Sequence, residues 1–163
     1  MAYIIKELQN TIPQRGRILL ITRRAERRGT VESLPQISIS IENGLEGDHY
    51  SGKNKKRQVT LIQAEHLDAV SNLLGKEIDP TLTRRNLLVS GINLLAFSDH
   101  KFQIGDSVIL EMTGHCHPCS RMEENLGPGG YQAMRGHGGI TARVIRGGII
   151  SQGDSISLLP NHD

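Results

Sequence analysis

Both cysteines of this chain lie three residues apart in the run His115-Cys116-His117-Pro118-Cys119-Ser120-Arg121. A thiolate is the nucleophilic and metal-ligating form of cysteine, and neighbouring positive charge favours it. Arg121 supplies such charge, and His115 and His117 supply it when protonated. Residue types at this spacing can therefore do sulfur transfer, dithiol redox chemistry or metal ligation.

Plainer readings stand beside these. Unpaired cysteine also behaves as a small buried hydrophobe without reactivity. A structural zinc would take Cys116, Cys119 and one or two of His115, His117 and His137, but no second Cys-x-x-Cys or His-x3-His half stands at finger spacing. A thioredoxin-like dithiol would need a βαβ context. A strand over residues 108–112 and a helix over Ser120–Leu126 give the local order, yet only 44 residues follow Cys119 and they read as Gly-rich strands. Asp48-His49 is a second polar pair that would orient a ligand or move a proton, since histidine titrates near neutrality; a structural turn is the competing reading.

The elements that must position these groups read as mainly β. The 163 residues suffice for one domain with a real core. Glycine makes up 18 of them and aromatic residues only 3%, a composition of short strands joined by tight turns. Net charge is +2, too small for a general nucleic-acid binder, so any anion site must be local. No apolar run has signal-peptide or membrane-spanning length. A cytoplasmic protein with resting thiols is expected, because a reducing compartment disfavours permanent disulfides.

Along the chain, strands are predicted over residues 17–21, 37–41, 58–62, 86–89, 107–112, 142–146 and 155–159. Ile37, Ile39 and Ile41 alternate with polar residues, as on a half-buried strand. Residues 22–32, with four arginines, read as a charged, solvated and mobile connection, and residues 52–57 as a basic loop containing Lys53, Lys55, Lys56 and Arg57. Ala64, Leu67, Val70 and Leu74 share one helical face, and Gly75 supplies the stop, predicting a helix over Ala64–Leu74. Pro80–Thr83 is a turn. Gly105-Asp106-Ser107 and Gly153-Asp154-Ser155 repeat one device, a Gly-Asp turn feeding an apolar segment. The expected architecture is a mainly β barrel with one or two packed helices, spanning residues 1–163 as a single domain.

The order of motifs resembles the MOSC domain, named for the C-terminal domain of molybdenum-cofactor sulfurase. The matching pieces begin with Gly44-Leu45-Glu46-Gly47-Asp48-His49, Arg57-Gln58-Val59-Thr60-Leu61 and Arg84-Arg85-Asn86-Leu87-Leu88-Val89-Ser90-Gly91. They continue with Ile104-Gly105-Asp106, Pro118-Cys119-Ser120-Arg121, Gly138-Gly139-Ile140-Thr141-Ala142-Arg143-Val144 and Gly153-Asp154. The resemblance covers residues 15–159 and is to the stand-alone bacterial type.

It implies a β-barrel whose chemistry centres on Cys119, either as a persulfide-forming sulfur carrier or as a direct molybdenum ligand. The implied cofactor is the molybdenum cofactor, molybdopterin. Its phosphate and heterocycle call for guanidiniums and amides, and Arg57, Arg84, Arg85, Asn86, Arg121 and Arg143 fall inside matching motifs. Some relatives reduce N-hydroxylated compounds, an outcome that here would need electrons from a separate donor protein. A carrier would take sulfur from a separate pyridoxal-phosphate-dependent cysteine desulfurase. A small-molecule substrate is expected, with no nucleic acid and no membrane. Cys116 departs from the simple Pro-Cys pattern and would be able to resolve a persulfide on Cys119. The competing classes are a Cys116/Cys119 dithiol redox or metal-binding protein and a non-catalytic binding module.

Overall fold

The computed structural model describes residues 2–50 and 55–160; Gly52 and Lys53 of the basic loop lie outside the described residues. The elements in chain order are α1 (Ile5–Gln9), β1 (Gly16–Arg23), β2 (Glu32–Leu34), β3 (Gln36–Ser40), β4 (Gly44–Leu45), β5 (Val59–Gln63), α2 (Ala64–Leu74), β6 (Leu87–Ser90), β7 (Lys101–Ile104), β8 (Val108–His115), α3 (Ser120–Leu126), α4 (Gly130–Met134), β9 (Ile140–Arg146), β10 (Gly148–Ser151) and β11 (Ser155–Leu158).

Seven strands close a barrel in the order β11-β7-β8-β9-β5-β6-β1, and the ring is completed where Gly16 of β1 faces Ile156 of β11. β2 extends β1 outside the ring, and β10, β3 and β4 form a separate three-stranded sheet. All barrel pairings are antiparallel except β5 with β6, which run parallel. A parallel pair cannot be joined by a hairpin, and α2 supplies the crossover.

That crossover explains why every residue of β5 is buried. Side chains alternate across a strand, so Leu61 enters the barrel cluster with Ile21, Leu87 and Leu110. Its neighbour Ile62 faces outward into a second cluster with Leu67, Val70, Met122, Leu126 and Met134. The outer cluster fastens α2, α3 and α4 onto β5. Gly75 ends α2 at φ 68°, ψ 26°, the left-handed conformation that glycine adopts without a Cβ penalty.

The barrel, the α2 helix and the Ser120–Leu126 helix match the expected architecture; α1 and α4 are additional, and α1 buries none of its residues. The short β2, β4, β7 and β10 fall where no strand was predicted. The two Gly-Asp turns meet in space: Gly105 donates its N–H to the Ser155 carbonyl at 2.9 Å, and its Cα faces the Asp154 carboxylate.

The arginine-rich segment corrects an expectation. Thr22 and Arg23 belong to β1, and the connection beyond them is anchored rather than solvated throughout. Arg24 donates its backbone N–H to Asp48 Oδ1 at 3.0 Å and its Nη1 to the Arg27 carbonyl at 2.6 Å. Arg84 Nη2 reaches the Gly29 carbonyl at 3.1 Å from the far side. Asp48 and Arg84 lie 24 and 55 positions from the residues they anchor, out of reach of local pattern.

Candidate functional site: a thiol among guanidiniums

The two cysteines have opposite environments. Cys116 is 1% exposed, whereas Cys119 is exposed and caps the start of α3 without a side-chain hydrogen bond. Cys116 follows directly on β8, and its backbone N–H donates to the Gly139 carbonyl at 2.9 Å. A Cβ on Gly138 would overlap the Cys116 carbonyl, and one on Gly139 would overlap the Leu61 carbonyl. The Gly138-Gly139 pair is thus the close approach that seats the cysteine segment on the barrel end.

Arg85 braces the same place from inside. It is buried, with Nε donating to the Gly138 carbonyl at 2.8 Å, Nη1 to Thr83 at 2.9 Å and Nη2 to Cys116 at 3.4 Å. A planar fork of donors suits three separate carbonyls where an ammonium would not. Burial pushes its pKa down; Cys116 opposes that shift, Arg57 adds to it, Cys119 opposes it and Arg24 adds to it.

Arg84 points the other way. It ends the 3-10 turn Pro80–Thr83, which Asp79 caps through Thr81, and takes φ 59°, a left-handed conformation costing a non-glycine residue about 1–2 kcal/mol. The turn packs on α3, where Asn125 Nδ2 donates to the Leu82 carbonyl at 2.9 Å. This places Arg84 beside α3, which Cys119 caps and which carries Arg121. Burial, Arg24 and Arg121 lower the Arg84 pKa, and Cys119 opposes them.

Arg57 sits over the Tyr50 ring at 5.2 Å, and its buried Nε has no hydrogen-bond partner among the described residues. Arg121 makes a loose ion pair with Glu124 at 3.7 Å on the same helix. Cys119, Arg84, Arg85, Arg121 and Arg57 therefore share one end of the barrel, and Arg24 joins them. Arg24 was missed by the sequence reading, which assigned its segment to solvent; the run of arginines there was the only local sign.

Two expected site residues are placed elsewhere in role. Asn86 is buried just before β6, against β1 and β5. Its Oδ1 accepts from Thr60 N and Oγ1, both at 3.0 Å, and its Nδ2 donates to the Thr22 carbonyl at 3.2 Å and Asp48 Oδ1 at 3.3 Å. Its amide is already engaged by protein. Asp48 belongs to the same network and also accepts from Tyr50 N at 3.3 Å, which is the structural-turn role. Arg143 is exposed on β9, paired across the strands with Glu111 at 2.5 Å. It stands three residues along β9 from Ile140, the partner of His115, so it is a sheet-surface ion pair.

Around the thiol, His115 and His117 are exposed, with rings 6.1 Å apart. His117 and Pro118 form one wall of an open cavity of about 510 Å³, completed by Tyr131, Arg135 and Gly136. His137, next to Gly138, meets His66 edge to face at 5.3 Å. Among the described residues no three histidine, cysteine or acidic side chains come together as a metal site, so the zinc ligand set is not assembled. Nor is any helix among them long and apolar enough to cross a membrane.

With this geometry in hand, comparison with known proteins is specific about the family. No curated protein matches the chain. The fold is shared with the YuaD protein from Bacillus subtilis, at 17% identity and TM-score 0.80, covering 93% of this chain and 100% of that one. It is also shared with YiiM from Geobacillus stearothermophilus, at 14% identity and TM-score 0.70, covering 88% and 75% respectively. YiiM from Escherichia coli is similar at 17% identity and TM-score 0.67, covering 90% and 71%. Residues 46–157 match the MOSC domain, and the chain belongs to that family.

Proposed function

We propose that this MOSC protein is thiol-centred, with Cys119 either carrying sulfur as a persulfide or ligating the molybdenum of a molybdopterin cofactor. The observation that carries the reading is the contrast between an exposed Cys119 flanked by Arg84 and Arg121 and a Cys116 that is 1% exposed. A sulfur carrier needs a thiolate with access to its donor. Cys119 has the access. The unequal burial favours one working thiol over a dithiol in which both act alike.

The donor set fits a molybdopterin in part. Cys119 would ligate the metal, and Arg84, Arg121 and Arg24 would neutralise the phosphate, with the orphaned Arg57 Nε as a further donor. Asn86 and Arg143 are committed to protein partners and do not contribute. When bound, the cofactor would supply two-electron oxygen-atom chemistry, as in reduction of an N-hydroxylated small molecule. The protein's own share is to present Cys119, hold the anionic end, and offer the cavity beside His117 and Pro118 to a substrate. A separate electron-donor protein, or for sulfur carriage a sulfur donor such as a cysteine desulfurase, is the partner we infer. Two free cysteines accord with a reducing cytoplasmic setting.

The test is molybdenum and pterin analysis of protein made in a molybdopterin-producing host, for the parent and Cys119→Ala, with polysulfide loading of apoprotein followed by intact mass. Near-stoichiometric molybdenum that falls in the variant supports ligation. A one-sulfur adduct on Cys119 without molybdenum supports carriage. Neither signal in the parent would overturn the reading.

A further inference from the structure

The guanidinium cluster beside Cys119 carries more positive charge than the protein compensates. Arg24 Nη1 and Arg84 Nη2 reach the same Arg27 carbonyl, at 2.6 and 3.5 Å, and the turn that Arg84 ends packs on α3, which Cys119 caps and which carries Arg121. Of Arg24, Arg84 and Arg121, only Arg121 has a carboxylate partner among the described residues, and that pair is loose and exposed. Arg24 and Arg84 spend Nη1 and Nη2 respectively on loop carbonyls at Arg27 and Gly29. Their remaining guanidinium nitrogens make no hydrogen bond among the described residues. Like charges held together with unspent donors are relieved by a multiply charged anion. The left-handed backbone of Arg84 holds it in this position at a cost in strain.

We propose that Cys119 takes sulfur directly from a small thiosulfate-type donor, a sulfane sulfur bonded to a sulfur oxyanion, with Arg24, Arg84 and Arg121 holding the oxyanion end. The proposal rests on the sulfur-carrying reading of Cys119 and names its donor class. The thiolate of Cys119 attacks the outer sulfur of thiosulfate. One S–S bond forms to Cys119 Sγ while the S–S bond of thiosulfate breaks, and the electron pair leaves with sulfite. A thiolate and a dianion become a persulfide anion and a dianion, so charge balances and no outside oxidant is consumed. The guanidiniums that bind the donor also face the sulfite on which negative charge collects as the bond breaks. Transfer of the outer sulfur to cyanide then gives thiocyanate and restores the thiolate.

A tetrahedral dianion site would also accept a phosphate group, so inorganic phosphate should compete with thiosulfate. The experiment incubates metal-free protein with thiosulfate and measures sulfite release, the one-sulfur mass gain on Cys119, and thiocyanate after cyanide. Each loading rate is divided by the alkylation rate with uncharged iodoacetamide, which corrects for thiol reactivity and for folding.

The expected result is one sulfite per chain, with the normalised loading rate falling at least tenfold in Arg24→Gln and in Arg84→Gln and less in Arg121→Gln. A parent that is loaded by polysulfide but not by thiosulfate overturns the donor assignment and leaves the sulfur-carrying reading in place. Loading by neither removes both. Thiosulfate loading with unchanged normalised rates in Arg24→Gln and Arg84→Gln overturns the role of the cluster, and phosphate binding without thiosulfate loading overturns the proposed reaction.

Discussion

Gly138 stands against the carbonyl oxygen of Cys116, so close that no side chain fits between them. The same oxygen accepts from Arg85 Nη2, and the Gly138 carbonyl accepts from Arg85 Nε. One buried guanidinium thus ties both partners of a glycine-dependent approach, and the segment running to Cys119 begins from that tie.

Gly138→Ala forces the two strands' ends apart or strains them. A loss of at least about 2 kcal/mol in unfolding free energy is expected. Urea unfolding checks it, and an unchanged midpoint would show that the approach relaxes freely.

Arg85→Met removes three donors and leaves the carbonyls of Gly138, Thr83 and Cys116 buried without partners. Each such group costs about 1–3 kcal/mol, partly offset by no longer burying a charge. We expect a net loss of about 2–4 kcal/mol, with little rescue in Arg85→Lys because an ammonium cannot span the three acceptors. Thermal melts of the three proteins decide it.

Arg143→Gln removes a solvent-screened pair with Glu111, in which the arginine side chain is 50% exposed. Stability should fall by no more than about 0.2–1 kcal/mol. Iodoacetamide labelling of Cys119 should keep its rate; a clear change would restore Arg143 to the site.

Glu123 accepts from Tyr131 N at 2.9 Å and Gly129 N at 2.7 Å, joining α3 to α4. These bonds hold its carboxyl below the ordinary 4.5. A depressed carboxylate contributes stability above its unfolded pKa and loses it as pH falls through the folded one. The melting temperature of Glu123→Gln should therefore lie below the parent at pH 7 and converge with it as pH falls through the lowered folded pKa. A constant gap across that range would count against the linkage.

What the sequence by itself determined is what short-range pattern encodes. The alternation of Ile37 and Ile39 put both in the core, though Ile41, expected on the same face, is exposed beyond the end of β3, and helical spacing with Gly75 defined α2. Ordered motifs also sufficed for the barrel, because each Gly-Asp turn and strand leaves a local mark.

Tertiary structure alone decided which thiol is exposed, since Cys116 and Cys119 differ only in what packs over them. It also decided that the Asn86 amide meets Thr60, Thr22 and Asp48 and that Arg143 faces Glu111. The short strands β7 and β10 exist through their partners, β8 and β11 for the first and β3 for the second. Arg24 and Arg84, 60 positions apart, meet beside Cys119 only once the barrel closes, because charge is felt through space and no local pattern records which distant cations will share it.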